Sequence, residues 1–139
     1  MIGQKTPVSS PGAPQSVGPY SQGIKVNDML FLSGQIPIDP KTGQIVGSTV
    51  AEQTHRVIQN IIALLDVCQG SLPNIVKCTV YLKSMDDFAE MNKVYAQYFT
   101  FDPPARSTVE VSRLPKDALV EIDAIAVLPN LKPGMKPSF

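Results

Sequence analysis

ARSTVEVSRLPKDALVEIDAIAV (residues 105–127) carries the alternation on which the fold turns. Residues 105–113 and 119–127 both read as strands, and LPKDA between them supplies a turn. In the second segment Val120, Ile122, Ala124 and Ala126 form one row, and Glu121, Asp123, Ile125 and Val127 form the other. In the first, Val109 and Val111 oppose Arg106, Thr108, Glu110 and Ser112. Paired as a hairpin, the apolar rows suit a helix-covered face and the polar rows fall on the face left bare. A bare face that mixes charge with Ile125 and Val127 suits contact between subunits. A turn centred near Lys116 sets Arg106 opposite residues 125 or 126 and Glu121 opposite Val111, about 13 Å apart along the sheet. That distance is too long for one small site within a chain, so any joint action of the two requires different subunits.

Upstream of this pair, the chain alternates strand and helix patterns. GIKVNDMLFLSG (23–34) reads as a hairpin with Asn27-Asp28 at its turn. Thr49 with Glu52 three residues on forms a capping box, and Val50, Val57, Ile58, Ile61, Leu65 and Cys68 fall on one face of the helix that follows, with Gly70 closing it. IVKCTVYLK (75–83) is a strand with Val76, Cys78, Val80 and Leu82 pointing one way. Ser84 starts a second helix with Phe88, Met91, Val94 or Tyr95, and Tyr98 inward. The expected order is ββ-α-β-α-ββ, an α+β class protein in which one mixed β-sheet carries two α-helices on one face. Residues 1–139 read as a single domain, with 1–19 an extended lead-in and 129–139 a tail rich in proline and glycine.

Composition narrows the function classes. Twelve basic and twelve acidic residues cancel, so no field is built for a phosphate backbone or an acidic membrane. Cys68 and Cys78 lack CxxC spacing and read as buried thiols of a reducing compartment. His55 is the only histidine, which leaves too few ligands for a zinc site of the usual His/Cys type, and it lies in a helical pattern unsuited to a Ser-His-Asp arrangement. The longest purely apolar run, residues 61–65, is too short to span a bilayer. The N-terminal stretch has neither the apolar core of a signal peptide nor the arginines of a transit peptide. A cytoplasmic location is the expectation, with the mitochondrion as the alternative.

Several motifs, in order, resemble the YjgF/Rid family and its RidA branch: GPYSQ (18–22), SGQIP (33–37), PKTG (40–43), IVK (75–77), MNKVYAQYF (91–99), PARS (104–107) and RLPKDALVEIDAIA (113–126). The resemblance implies a chorismate-mutase-like fold and a homotrimer with its sites in clefts between subunits. It also implies hydrolytic deamination of reactive 2-imino acids and their enamine tautomers to 2-oxo acids and ammonia, with no cofactor and no metal. Carried onto this chain, the family's carboxylate-binding arginine is Arg106 and its water-positioning glutamate is Glu121. Its substrate-binding tyrosine is Tyr20, its loop residues are Ser33 and Gly34, and its helix asparagine is Asn92. Thr108, counted with the substrate-binding residues, stands where many members have cysteine, which puts thiol-dependent regulation in doubt but not imine hydrolysis.

The chemistry suits these residue types. A guanidinium grips a carboxylate through two parallel hydrogen bonds and fixes its plane, where lysine offers only a point charge. A carboxylate can align a water and take up its proton. Pro103 and Pro104 stiffen the chain entering Arg106. Two alternatives stand beside this reading: an RNA-directed translation inhibitor or endoribonuclease, an activity also attributed to some members, and a non-catalytic binder of small 2-oxo acids.

Overall fold

The computed structural model describes residues 4–129. In chain order these form β1 (Thr6–Val8), β2 (Gly23–Val26), β3 (Met29–Gln35), α1 (Val50–Asp66), β4 (Ile75–Leu82), α2 (Phe88–Tyr98), β5 (Ala105–Glu110) and β6 (Val120–Val127). The strands make one six-stranded mixed sheet in the order β1-β2-β3-β6-β4-β5. Both helices pack on the same face, as the buried rows of β4 and β6 require.

Local signals explain most elements. Asn27 takes a left-handed φ of 52°, the conformation a two-residue hairpin turn demands, and β2 pairs antiparallel with β3 through it. The Thr49 hydroxyl accepts the Glu52 amide at 3.2 Å and donates to Glu52 Oε1 at 2.9 Å, which fastens the start of α1. Val50, Val57, Ile58, Ile61, Leu64 and Leu65 are the buried apolar residues of that helix. Against them the sheet sets Cys78, Val80 and Leu82 of β4 and Val120, Ile122, Ala124 and Ala126 of β6. Full burial of a Leu, Ile or Val side chain contributes about 1.5–3 kcal/mol, so this single layer of contacts supplies the main stabilisation.

Several expectations are corrected. The lead-in is not merely extended: Thr6–Val8 adds an edge strand to β2. A three-residue strand containing proline carries no periodic signal, and proline is tolerated there because an edge strand leaves some amides unpaired. At the end of α1 the left-handed residue is Gln69 (φ 60°), while Gly70 donates to Leu65 O and lies where a side chain would meet Leu128. Ser84 caps a 3-10 turn, Met85–Asp87, rather than α2 itself. In β4 the register shifts between Ile75 and Lys77, so Ile75 is buried and Val76 is exposed, against the alternation read from sequence. The tail's residues 130–139 lie outside the described residues.

The largest correction concerns the pair read as a hairpin. β5 does not pair with β6. It runs parallel to β4 (Cys78 opposite Arg106, Val80 opposite Thr108), and β4 pairs antiparallel with β6 on its other side (Cys78 opposite Ala124, Tyr81 opposite Glu121). The physical reason lies in the inward rows. That of β6 is wholly apolar and buried, so β6 takes a central place between β3 and β4. Arg106 and Thr108 share the orientation of Cys78 and Val80, toward the helices, so the inward row of β5 is polar and the strand sits at the sheet edge. A parallel partner also needs a crossover, which α2 provides between β4 and β5. The link from β5 to β6 instead turns through Lys116 and Asp117, both left-handed at φ 54° and 57°.

Candidate functional site

Two partial sites emerge, on opposite faces of the sheet. The first is built around Arg106. Its guanidinium carbon lies 4.7 Å from the centroid of Tyr95 and 5.7 Å from that of Phe88, both from α2. Asn92 falls between these rings by helical spacing and is half-buried, at the same helix face. Thr108 Oγ1 is buried without a hydrogen-bond partner among the described residues. None of the ion pairs formed among the described residues involves Arg106. Its charge therefore stands over two aromatic rings with no ion-pair partner among the described residues.

The second is a cleft of about 390 Å³ whose walls include Val17, Tyr20, Gly34, Ile36, Ile38 and Lys116. Glu121 is not itself one of these walls but packs directly on Gly34, which is. A Cβ built on Gly34 would collide with Glu121 Oε2 and lie 2.8 Å from its Cδ, so the absence of a side chain at 34 makes room for that carboxylate. The register of β3 against β6 shifts between Leu32 and Gln35, which opens the strand at Ser33 and Gly34. Tyr20 is exposed, and its phenol oxygen accepts the Val17 amide at 3.3 Å.

Ser33 serves the cleft from behind. Its hydroxyl donates to Ser21 O at 2.6 Å and its amide to Gln22 O at 3.0 Å, so it ties the 18–22 segment to β3. Gln22 extends that tie and was not singled out from sequence. It is buried, its Oε1 accepts the Ser10 amide at 2.7 Å, and its Nε2 reaches Pro14 O at 2.6 Å and Ala13 O at 3.2 Å. It thereby fixes the backbone of residues 10–14, one wall of the cleft. A glutamine inside an otherwise small, turn-rich motif was the available signal. Tyr95 and Phe88 were read only as inward-facing positions of α2, since periodicity registers burial and not which cation a ring faces.

Arg106 and Glu121 do not converge within the chain. Arg106 is in register with Ala124 through Cys78, and Glu121 lies three residues from Ala124 on the face away from the helices. Two strand spacings and three residues put their backbones about 14 Å apart, with the side chains on opposite faces. The hairpin geometry gave a similar distance for the wrong reason, since it set both on one face.

Electrostatics separate the two carboxylates of the bare face. Asp123 accepts the Tyr81 hydroxyl at 3.1 Å and the Thr79 amide at 3.2 Å. Glu121 has no such donors among the described residues, and its pKa is raised above the usual glutamate value, first by loss of solvent and then by the charge of Asp123. A raised native pKa means that the native state prefers the protonated acid. That contribution to stability is present below the unfolded-state pKa and is lost as pH rises through the native one. Glu121→Gln is therefore expected to melt higher than the wild type at neutral pH, with the gap closing as pH falls below the native pKa of Glu121. Thermal melts across that range check it; a variant destabilised at neutral pH would show that the carboxylate is well solvated or paired.

The described residues contain no cluster of three or more His, Cys, Asp or Glu able to hold a metal, and no helix long and apolar enough to cross a membrane. Cys68 and Cys78 are free thiols, both raised in pKa mainly by burial. His55 Nδ1 lies 2.9 Å from the Tyr98 hydroxyl, an α1-to-α2 contact.

This arrangement of sheet, helices and cleft is one known protein family's. The family model described as Endoribonuclease L-PSP matches residues 11–128, and the chain belongs to that family, also called YjgF/Rid. A RutC family protein of Pyrococcus horikoshii is 56% identical over 122 residues, covering 88% of this chain and 97% of that one. The solved structure of YyfA from Yersinia pestis, a member of the conserved Rid family, has a TM-score of 0.88 at 44% identity and covers 90% of this chain and all of its own. E. coli TdcF, solved with bound serine, has a TM-score of 0.85 at 40% identity, covering 89% of this chain and 99% of its own.

Proposed function

We propose that the protein is a deaminase that hydrolyses 2-iminobutanoate, 2-iminopropanoate and their enamine tautomers to 2-oxo acids and ammonia. The observation that carries this reading is Arg106: a guanidinium set over two aromatic rings and paired with no carboxylate among the described residues. Such a group is disposed to receive the carboxylate of a small ligand. That a relative of similar structure binds serine, an α-amino acid of the right size, supports the same class of ligand here.

In the reaction, Arg106 holds the substrate carboxylate and thereby fixes the neighbouring C2. A water aligned by Glu121 attacks C2, and the π electrons of the C=N bond move to nitrogen. Glu121, with its raised pKa, takes the water's proton and returns it to nitrogen. Glu121 then takes the hydroxyl proton of the resulting carbinolamine and passes it to nitrogen as the C=O bond forms and the C–N bond breaks, leaving the 2-oxo acid and ammonia. Tyr20 and Gly34 border the space in which the reacting carbon would lie. Because Arg106 and Glu121 of one chain face opposite sides of the sheet, each site takes its arginine from one subunit and its glutamate from the next, in a homotrimer.

The test couples a threonine dehydratase to the purified protein and follows 2-iminobutanoate directly. The expected result is a rate of disappearance that rises in proportion to protein, with 2-oxobutanoate as product and a rate that declines as pH falls through the raised pKa of Glu121. Imine loss no faster than in buffer rejects the reading. The family's endoribonuclease description sets the competing class, and salt separates the two. RNA binding weakens steeply with added salt, whereas turnover of a small imino acid by a chain of zero net charge is expected to change little.

A further inference from the structure

Arg106 is held from the helix side by a stack of aromatic rings. Its guanidinium carbon is 4.7 Å from the Tyr95 centroid, and the Tyr95 ring in turn packs on Phe99, with centroids 4.4 Å apart and planes tilted by 31°. Phe88, about two helical turns before Tyr95, faces the same guanidinium at 5.7 Å. Both distances fall within the range at which a ring face attracts a cation.

Tyr95 is 6% exposed, and among the described residues its hydroxyl makes no hydrogen bond, with the Cys78 thiol as its polar neighbour. Burial pushes the phenol well above its usual pKa and keeps it neutral. The ring therefore cannot pair with Arg106 as an anion. It orients the guanidinium without cancelling the charge, which an aspartate or glutamate at the same place would do.

We infer that Tyr95, supported by Phe99 and assisted by Phe88, is a positioning residue that holds the Arg106 guanidinium over its ring, in readiness for a 2-oxo or 2-imino carboxylate. The inference rests on the carboxylate-binding role proposed for Arg106. An arginine side chain free to rotate would lose rotamer entropy on binding, and a pre-set plane reduces that loss. The effect therefore falls on ligand affinity and KM more than on kcat.

The experiment compares wild type, Tyr95→Leu, Tyr95→Phe and Phe88→Leu as folded proteins. Binding of 2-oxobutanoate is measured by calorimetry and imine turnover by the coupled assay. The Arg106 side-chain resonances are followed by NMR on arginine-labelled protein. Tyr95→Leu is expected to weaken 2-oxobutanoate about tenfold, to raise KM with little change in kcat, and to abolish the upfield ring-current shift of the Arg106 side chain. Tyr95→Phe retains the ring and is expected to restore affinity to within about twofold of wild type. Phe88→Leu, an apolar replacement at a half-buried position, is the second variant should Tyr95→Leu fail to fold, and is expected to weaken binding about threefold. Unchanged affinity in the leucine variants, or an Arg106 side chain without a ring-current shift in the wild type, overturns the inference. A wild type that shows the shift yet neither binds 2-oxobutanoate nor consumes the imine would sink the proposed function while leaving the stacking of Arg106 established.

Discussion

Arg106→Lys is expected to be nearly as inactive as Arg106→Ala, each losing at least about a hundredfold in kcat/KM. The prediction follows from geometry and not from charge. Lysine preserves the positive charge at the sheet edge, but an ammonium cannot lie flat on the Tyr95 ring and grip both oxygens of a carboxylate at once. The reacting carbon sits beside that carboxylate, so losing the plane misaims the electrophile as well as weakening the grip. Neutral truncation to alanine removes both. Steady-state kinetics on 2-iminobutanoate for the two variants settle it. A lysine variant within about tenfold of the wild type would mean that Arg106 acts only as a charge at a distance, and the aromatic platform would lose its significance.

Much of this architecture was legible because its signals are local. The Thr49–Glu52 capping box and the one-sided face of α1 came straight from spacing, and Asn27-Asp28 marked the first hairpin. The failures share one cause: pairing is not local. The segments that became β5 and β6 both alternate and a turn lies between them, so a hairpin was the simplest reading. The strand-helix-strand run from Ile75 to Glu110 equally described a parallel β-α-β unit, and only the burial of β4 between β5 and β6 decides between them. Once Arg106 shares the orientation of Cys78, its place beneath α2 follows, and with it the contact to Tyr95 that sequence spacing alone did not show. Glu121 and Gly34 were named separately from motifs; that the glutamate rests on the glycine depends on the β3–β6 register and its shift near Gly34. Gln22 and the β1 edge strand escaped notice because a single buried glutamine and a three-residue strand leave no periodicity to detect.

The second large effect concerns mixed assemblies. Arg106 faces the helix side of the sheet and Glu121 the other, with β4 between their strands, so no rotation of side chains brings them to one small substrate within a chain. If the site is shared, Arg106→Ala and Glu121→Ala proteins are each nearly dead, yet they complement one another. In a cyclic trimer assembled at random from equal amounts, a site is whole when its arginine donor is the Glu121→Ala subunit and the adjoining glutamate donor is the Arg106→Ala subunit. Each condition holds about half the time, so roughly a quarter of the sites recover.

The most direct measurement is therefore the rate of 2-iminobutanoate disappearance in a co-refolded equal mixture of Arg106→Ala and Glu121→Ala proteins, with mixed trimers verified by native mass spectrometry. A rate near a quarter of the wild type is expected, well above either variant refolded alone. A mixture that stays at the level of the separate variants, although mixed trimers are present, would contradict the shared site and the mechanism built on it.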